Sequence, residues 1–428
     1  VRIRDPIHGV LTVTEAEKAV LDSRLFQRLR HVRQLGFGEL AFPGATHTRH
    51  AHSLGAMHLA SRLFDAASSK AGLAPARRER LRAVVRLAVL CHDLGHMPLS
   101  HASESIAPMR AALGLPAWMQ PLEGQATHED VTAHLLLDSS LAALISREYG
   151  PLGVTPAHAA GLVTGRFPPG ERPFLEGGVD WTPALRGIVS GELDADRMDY
   201  LTRDSFYTGV NYGRYDVEWL LQNVSVQEKD GTMVLALARA AVFAFEDFLL
   251  SRYHMFLSVY YHHTSVSFDH MLRRWYQECP GEFSIPADPE AFVECDDLAL
   301  HLALRRSRSD WARRIVTRRG YTRVAEFTER DFGYDLPSLS AALAAGGFDH
   351  FTVESRGVLS RYVDEGERPS LYVVDGPSGR LTEVASYTPL YQRFSGAVRL
   401  SRVYVRPEQA EAARPVVARL TEAALEAP

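Results

Sequence analysis

Apolar positions recur at helical spacing along most of the first 280 residues. Thr14 with Glu17 three residues later is a capping-box signature. Leu21, Leu25, Leu29 and Val32 follow at intervals that predict one helix or two up to Leu35. A loop rich in Gly and Pro, residues 36–48, precedes a second helical stretch in which His52, Ala56, Leu59 and Leu63 share a face. Residues 81–96 are apolar nearly all round and stop at Pro98, which predicts a buried central helix. Thr127 with Asp130 starts a fourth helix, expected to run to about Tyr149. Residues 224–226 and 233–237 flank Asp230-Gly231, a strong hairpin signal, and a long helix over 240–276 is expected to follow.

Beyond Pro280 the period changes. Residues 371–374 and 381–386 flank a Gly and Pro turn, 398–405 alternate in polarity, and 409–425 form an amphipathic helical pattern. The expected fold is mainly α: a helical core with a small β-hairpin over 1–280, and a smaller C-terminal α+β lobe over 281–428. The lobe is expected to serve oligomerisation or regulation. The Pro, Asp and Glu rich segment 280–297 is the expected boundary.

The chain has 428 residues, and 46% hydrophobic with 23% charged residues is ordinary for a globular protein, which excludes disordered and fibrous classes. A net charge of -5 gives no global field for a polyanion. The arginines at 77–82 and 305–319 lack interleaved aromatic residues and read as solvated faces, so nucleic-acid binding is not favoured. Three scattered cysteines suit a reducing compartment, and the expected location is cytoplasmic. The most apolar stretch, 233–250, is interrupted by Arg239, Glu246 and Asp247, and no membrane segment is predicted.

The chemistry concentrates in histidines. His92 and Asp93 are adjacent in the segment that reads as most buried, where an imidazole beside a carboxylate is costly unless a cation pairs them. His96 falls one helical turn after His92, His101 follows Pro98, and His52 heads another helix. Mixed nitrogen and oxygen donors suit Fe, Mn or Zn, whereas an all-carboxylate set suits Mg or Ca. His58, His134, His158 and His254 have no surrounding partner motif and read as surface or satisfied core residues.

The order of one His, an adjacent His-Asp pair and a distant Asp resembles the HD-domain phosphohydrolases, with His92-Asp93-Leu94-Gly95-His96 close to their central motif. The resemblance is closer to their dNTP triphosphohydrolase branch, which includes the metazoan SAM-and-HD-domain protein. Its blocks are similar to Asp5-Pro6-Ile7-His8-Gly9, Phe26-Gln27-Arg28-Leu29-Arg30, Gln34-Leu35-Gly36, His52-Ser53-Leu54-Gly55, Asp199-Tyr200 and Arg203-Asp204. The similarity runs in order over residues 1 to about 270, and no SAM domain is visible. It implies an HD-type helical core with one transition metal held by His52, His92, Asp93 and Asp196. Asp194 is an alternative distal ligand; its spacing to Tyr200 favours Asp196.

It further implies that His96, His101 and His128 face the α-phosphate and the leaving 5′-oxygen, with Glu104 in their hydrogen-bond relay. Arg49 would grip a phosphate; Arg197, Tyr200, Asp204 and Arg252 would complete the phosphate and sugar contacts. Gln34, Leu35 and Tyr260 would line the deoxyribose. The implied reaction is hydrolysis of a dNTP, carried with Mg on its phosphates, to deoxynucleoside and tripolyphosphate. Asp22, Gln27 and Arg30 would read guanine in a GTP or dGTP activator site shared within a homo-oligomer, dimer or tetramer. The alternative is an HD phosphodiesterase or nuclease acting on another nucleotide or on single-stranded nucleic acid. Glu104 stands where the branch has Asp, Arg197 where it has Lys, and Tyr261 where it has Gln.

Overall fold

The computed structural model describes residues 1–328, 331, 335–358, 370–376, 378–394 and 397–426. A hairpin of β1 (Arg2–Asp5) and β2 (Gly9–Thr12) leads into the Thr14 capping box, in which Glu17 N donates to Thr14 Oγ1 and Thr14 N donates to Glu17 Oε2. Two short helices follow, α1 (Glu15–Leu21) and α2 (Arg24–Arg28). The body of the molecule is α3 (Arg49–Ala67), α4 (Pro75–Cys91), α5 (His128–Leu137), α6 (Ser140–Tyr149), α7 (Pro156–Thr164), α8 (Thr182–Ser190), α9 (Ala195–Thr208) and α10 (Val217–Gln222). Met57, Leu59, Ala60 and Leu63 of α3 meet Val84, Val85, Ala88 and Val89 of α4 in a core from which water is fully excluded.

Three expected helices end early, each for a local reason. The helix expected over 81–96 is α4, which stops at Cys91. Thr132 of α5 donates its hydroxyl to His92 O and accepts from Gly95 N, both at 2.9 Å, and so takes up backbone groups that a longer helix would need. His96 therefore lies on a turn and not one helical turn along a common face. The helix expected to reach Tyr149 breaks at Asp138-Ser139, where Ser139 Oγ accepts from Leu141 N and caps α6. The helix expected over 240–276 is α11 (Val242–Met255), a π-turn at Phe256–Tyr260, and α12 (His263–Glu278), whose first turn is capped by the His262 ring.

Two short strands, β3 (Leu175–Glu176) and β4 (Val179–Asp180), precede the expected hairpin of β5 (Val224–Lys229) and β6 (Thr232–Ala238). Its turn places Asp230 at φ 51° and Gly231 at φ 74°, the doubly left-handed geometry of a two-residue hairpin loop. Further on come α13 (Asp297–Arg306), β7 (Thr322–Thr328) and β8 (His350–Val358), then β9 (Tyr372–Val374), β10 (Leu381–Glu383) and β11 (Ala397–Val405). β11 lies between β7 and β8 in an antiparallel sheet, covered by the helices Leu336–Ala345 and Ala410–Glu426 through Leu339, Leu343, Val403, Val405 and Ala413.

Packing crosses residue 280. β9 pairs in parallel with β6, and Leu371, Val373 and Val384 join the main core. Phe37 and Leu99 share a second core with Leu272 and Trp275 of α12, Leu300 and Leu304 of α13, and Tyr404 of β11. The architecture is mainly helical with small sheets, including the C-terminal β-sheet lobe. Among the described residues no helix is long and apolar enough to cross a membrane.

Candidate active site

Three elements converge on one point. The first turn of α3 presents Arg49 and His52, the end of α4 presents His92 and Asp93, and the first turn of α9 presents Asp196. The close approach of α3 to α9 depends on Gly55: a Cβ there would stand 2.0 Å from Asp199 Oδ1 and 2.2 Å from an Arg203 nitrogen. His52 Nε2 lies 3.4 Å from His92 Nε2, 3.7 Å from Asp93 Oδ2 and 3.0 Å from Asp196 Oδ1. His92 Nε2 is 3.4 Å from Asp93 Oδ1 and 3.5 Å from Asp196 Oδ1. Asp194, the alternative, caps α9 by accepting from Arg197 N and Gly191 N.

The donor chemistry of this cluster calls for a cation. Asp199 is pinned by Arg203 through two hydrogen bonds, and burial notwithstanding, that guanidinium and its His partners hold the carboxyl well below its usual range. An ionised carboxylate only accepts, so the His52 Nδ1 that lies 2.8 Å from Asp199 Oδ2 carries the proton, and Nε2 presents a lone pair. His92 Nδ1 donates to Val89 O at 2.6 Å, which bares its Nε2 in the same way. Two lone pairs and two carboxylates thus face one another. Their spacing fits a shared ion, since ligand atoms about 2.1 Å from one centre stand roughly 3.0 to 3.4 Å apart. The surrounding field favours positive charge at this point: burial opposes charge on His52, yet hydrogen bonds to Asp196 and Asp199 and the charge of Asp93 raise its pKa to about 10, so a cation bound here would take the place of the second ring proton and free the Nε2 lone pair. The His/Asp cluster is consistent with a divalent metal site.

A second cluster adjoins the first. His96 Nε2 lies 3.2 Å from Asp93 Oδ1, and its ring stacks on His128 at 4.0 Å. Glu104 Oε1 accepts from Nδ1 of both His101, at 2.8 Å, and His128, at 3.0 Å. Burial opposes the Glu104 charge, but these two imidazoles outweigh it and hold the carboxyl below its usual range. The donor atoms of His96, His101, Glu104 and His128 also lie within 4.8 Å of one another. Glu104 fixes the orientation of both His101 and His128 rings through Nδ1. His96 is 2% exposed, whereas the His101 side chain is 66% exposed and open to a substrate.

His92, Asp93 and Asp196 of the first cluster and all four residues of the second line one cleft of about 620 Å³, with His52 fully buried behind them. The same cleft is lined by Gln34, Leu35, Arg49, Arg197, Tyr200, Asp204, Arg252 and Tyr260, which are brought together from segments as far apart as α3 and the π-turn. Tyr260 donates its hydroxyl to Asp204 Oδ2 at 2.9 Å, and His47 Nε2 lies 2.7 Å from Asp204 Oδ1. Asp22, Gln27 and Arg30 lie elsewhere. Asp22 ends α1 and pairs with Lys18; Gln27 donates to Leu21 O and accepts from Arg30 Nε, both at 2.7 Å.

Sequence reasoning passed over the residues behind His52. Asp5 accepts from Ile7 N, His8 N and Arg203; His8 Nε2 and His52 Nδ1 both meet Asp199. Asp5-Pro6-Ile7-His8 and Asp199 with Arg203 stood out as motif blocks, but nothing in their spacing assigns them to His52. His47, on the far side of Asp204, carried no signal beyond being one more histidine.

Residues 49–203 match the HD domain family, and residues 215–342 match the HD-associated region. The chain belongs to the HD-domain phosphohydrolases and carries the HD-associated region. Within that class it is 30% identical over 329 residues to an uncharacterised protein of Methanocaldococcus jannaschii, covering 77% of this chain and 60% of that one. It is 30% identical over 308 residues to the deoxynucleoside triphosphate triphosphohydrolase SAMHD1 homolog of Dictyostelium discoideum, covering 70% and 54%. The chain spans little more than half the length of these relatives. A solved structure of a hypothetical protein from Aquifex aeolicus superposes with a TM-score of 0.74 at 25% identity over 97% of this chain and 99% of that one.

Proposed function

We propose that the chain hydrolyses a deoxynucleoside triphosphate at its α-phosphorus, releasing the deoxynucleoside and tripolyphosphate. The observation that carries this reading is the cleft lined by His92, Asp93 and Asp196, with buried His52 3.0 Å behind Asp196, and by Arg49, Arg197, Arg252 and the Asp204–Tyr260 pair. Similarity to the Dictyostelium triphosphohydrolase homolog supports it. His52, His92, Asp93 and Asp196 would hold a divalent cation, which would supply Lewis-acid charge and lower the pKa of a water. Iron, manganese and zinc suit the donors, and magnesium accompanies the triphosphate.

The remaining steps belong to side chains of this chain. Arg49, Arg197 and Arg252 offset the triphosphate charge, and Arg49, anchored on Asp93 at 2.7 Å, ties phosphate position to the metal cluster. His101 gives its Nε2 proton to the leaving 5′-oxygen, and Glu104 holds the ring by Nδ1 so that Nε2 faces the cleft. His128 is held by the same carboxylate and stacks on His96 beside it. Gln34 and Leu35 pack the sugar, Tyr200 closes its side, and Tyr260, fixed by Asp204, fills the place of a 2′-hydroxyl. Asp22, Gln27 and Arg30 form a guanine nucleotide site that favours a homo-oligomer.

The test incubates metal-analysed protein with each dNTP and each NTP. Faster turnover of dNTPs supports the reading, with Tyr260→Ala narrowing the difference. Equal turnover of both sets contradicts the sugar assignment, and turnover only of a cyclic nucleotide or of single-stranded DNA replaces the reading with a phosphodiesterase or nuclease.

A further inference from the structure

We propose that Asp297, outside the HD domain itself, is a positioning residue for the HD chemistry: its carboxylate clamps the loop joining His92 and Asp93 to His101 and Glu104. Asp297 is the first residue of α13, and the capping of that helix is done by Asp296, which accepts from Ala299 N. Asp297 is free for another task and is only 5% exposed. Its Oδ1 accepts from Leu99 N at 2.7 Å and its Oδ2 from Arg33 N at 2.9 Å. One buried side chain thus joins two backbone segments remote from it in sequence.

The loop needs such a clamp. Leu99 and Ser100 both adopt the left-handed region, at φ 55° and 58°, which costs free energy for residues with a Cβ and persists only where surroundings impose it. Gly36, itself at φ 51°, lets the opposite strand of chain close on the loop, since a Cβ there would stand 2.9 Å from Leu99 O. The clamp connects directly to the reacting groups. Ser100 Oγ donates to Arg33 O and accepts from Arg49 Nε, each at 2.7 Å, and Arg49 donates to Asp93 Oδ2. The other end of the loop is tied to the same segment: buried Arg28 donates to Leu94 O, to His96 O and to Cys295 O. Residues 295–297 therefore hold both ends of the turn that spaces the metal cluster from the acid–base cluster. A carboxylate suits the task because both of its oxygens accept, whereas an amide sets a donor against one of the two N–H groups.

The inference rests on the hydrolytic reading above, and its test separates the two. Asp297→Asn and Asp297→Ala are compared with the parent as full chains loaded with manganese, for bound metal, for kcat and KM on a dNTP, and for amide hydrogen exchange without substrate. Expected are unchanged metal content, KM within about threefold, and kcat lower by about 10-fold to 100-fold in Ala and less in Asn, the scale set by small misplacements of catalytic groups. Exchange should quicken in peptides spanning 94–106 and not elsewhere. If Asp297→Ala does not fold, Asp297→Asn decides. Unchanged exchange at 94–106, or a rate loss that tracks metal loss or faster exchange throughout the chain, overturns the proposal. A parent protein without dNTP turnover counts against the substrate reading, and the exchange experiment then decides the clamp by itself.

Discussion

Asp199 Oδ2 accepts a hydrogen bond from His52 Nδ1 at 2.8 Å and so determines that Nε2 of that ring faces His92, Asp93 and Asp196. The carboxylate is in turn pinned by Arg203 and His8. Asp199→Asn offers an amide that can donate, which lets His52 turn its lone pair away from the cluster. Metal affinity is expected to fall by about 10-fold to 100-fold, the usual effect of losing a partner behind a ligand. Titration of the apoprotein with manganese measures this, and an unchanged affinity contradicts the assignment of His52.

The proposed role of His101 is on the substrate side of Glu104 and off the metal. His101→Ala is expected to retain bound metal and lose about 10²-fold to 10⁴-fold in kcat, the scale of a positioned acid. Glu104→Gln, which weakens the hold on both His101 and His128, should give a smaller loss. Parallel loss of metal and rate in His101→Ala would make the residue a ligand instead.

Acid should destabilise the fold through rings that burial, full at His50 and partial at His270, keeps neutral. Burial, with Arg30 nearby, lowers the His50 pKa to about 4, and burial with Arg273 and Arg274 does the same for His270. Between pH 6.5 and 4 the unfolded chain binds protons at these rings that the folded chain does not, so their contribution to stability is lost as pH falls through that window. In urea melts, His50→Gln combined with His270→Gln should flatten the fall in stability relative to the parent. Parallel curves would show that these rings do not set the slope.

The helical core, the Asp230-Gly231 hairpin and the order of the histidines were legible because each is written in local spacing: 3.6-residue periods, capping boxes and a two-residue turn. The end of α4 at Cys91 was not, because Thr132 stops that helix from 40 residues away. The break at 256–262 had no proline or glycine to announce it. The four residues proposed as metal ligands came from motif order, but the reason they form one cluster lies in Gly55 and in the Asp199 network, which only the packing of α3 on α9 makes visible.

The guanine site is tested by its own variant. GTP or dGTP should shift the protein to a larger species and raise dNTP turnover, and Arg30→Ala should remove both effects with metal retained. Because Gln27 is already bonded to Arg30 and to Leu21 O, a nucleotide must displace that pair to use its amide. A single size and rate across the titration would return Asp22, Gln27 and Arg30 to the role of helix end and surface.

The central claim is cleavage at the α-phosphorus by the cluster of His52, His92, Asp93 and Asp196. Its most direct test is hydrolysis of a dNTP in ¹⁸O-enriched water by manganese-loaded protein, with products resolved by mass spectrometry and Asp93→Ala as control. The expected products are unlabelled deoxynucleoside and tripolyphosphate carrying one ¹⁸O, with neither formed by Asp93→Ala. Release of phosphate or pyrophosphate, label in the deoxynucleoside, or full activity in Asp93→Ala would contradict the account.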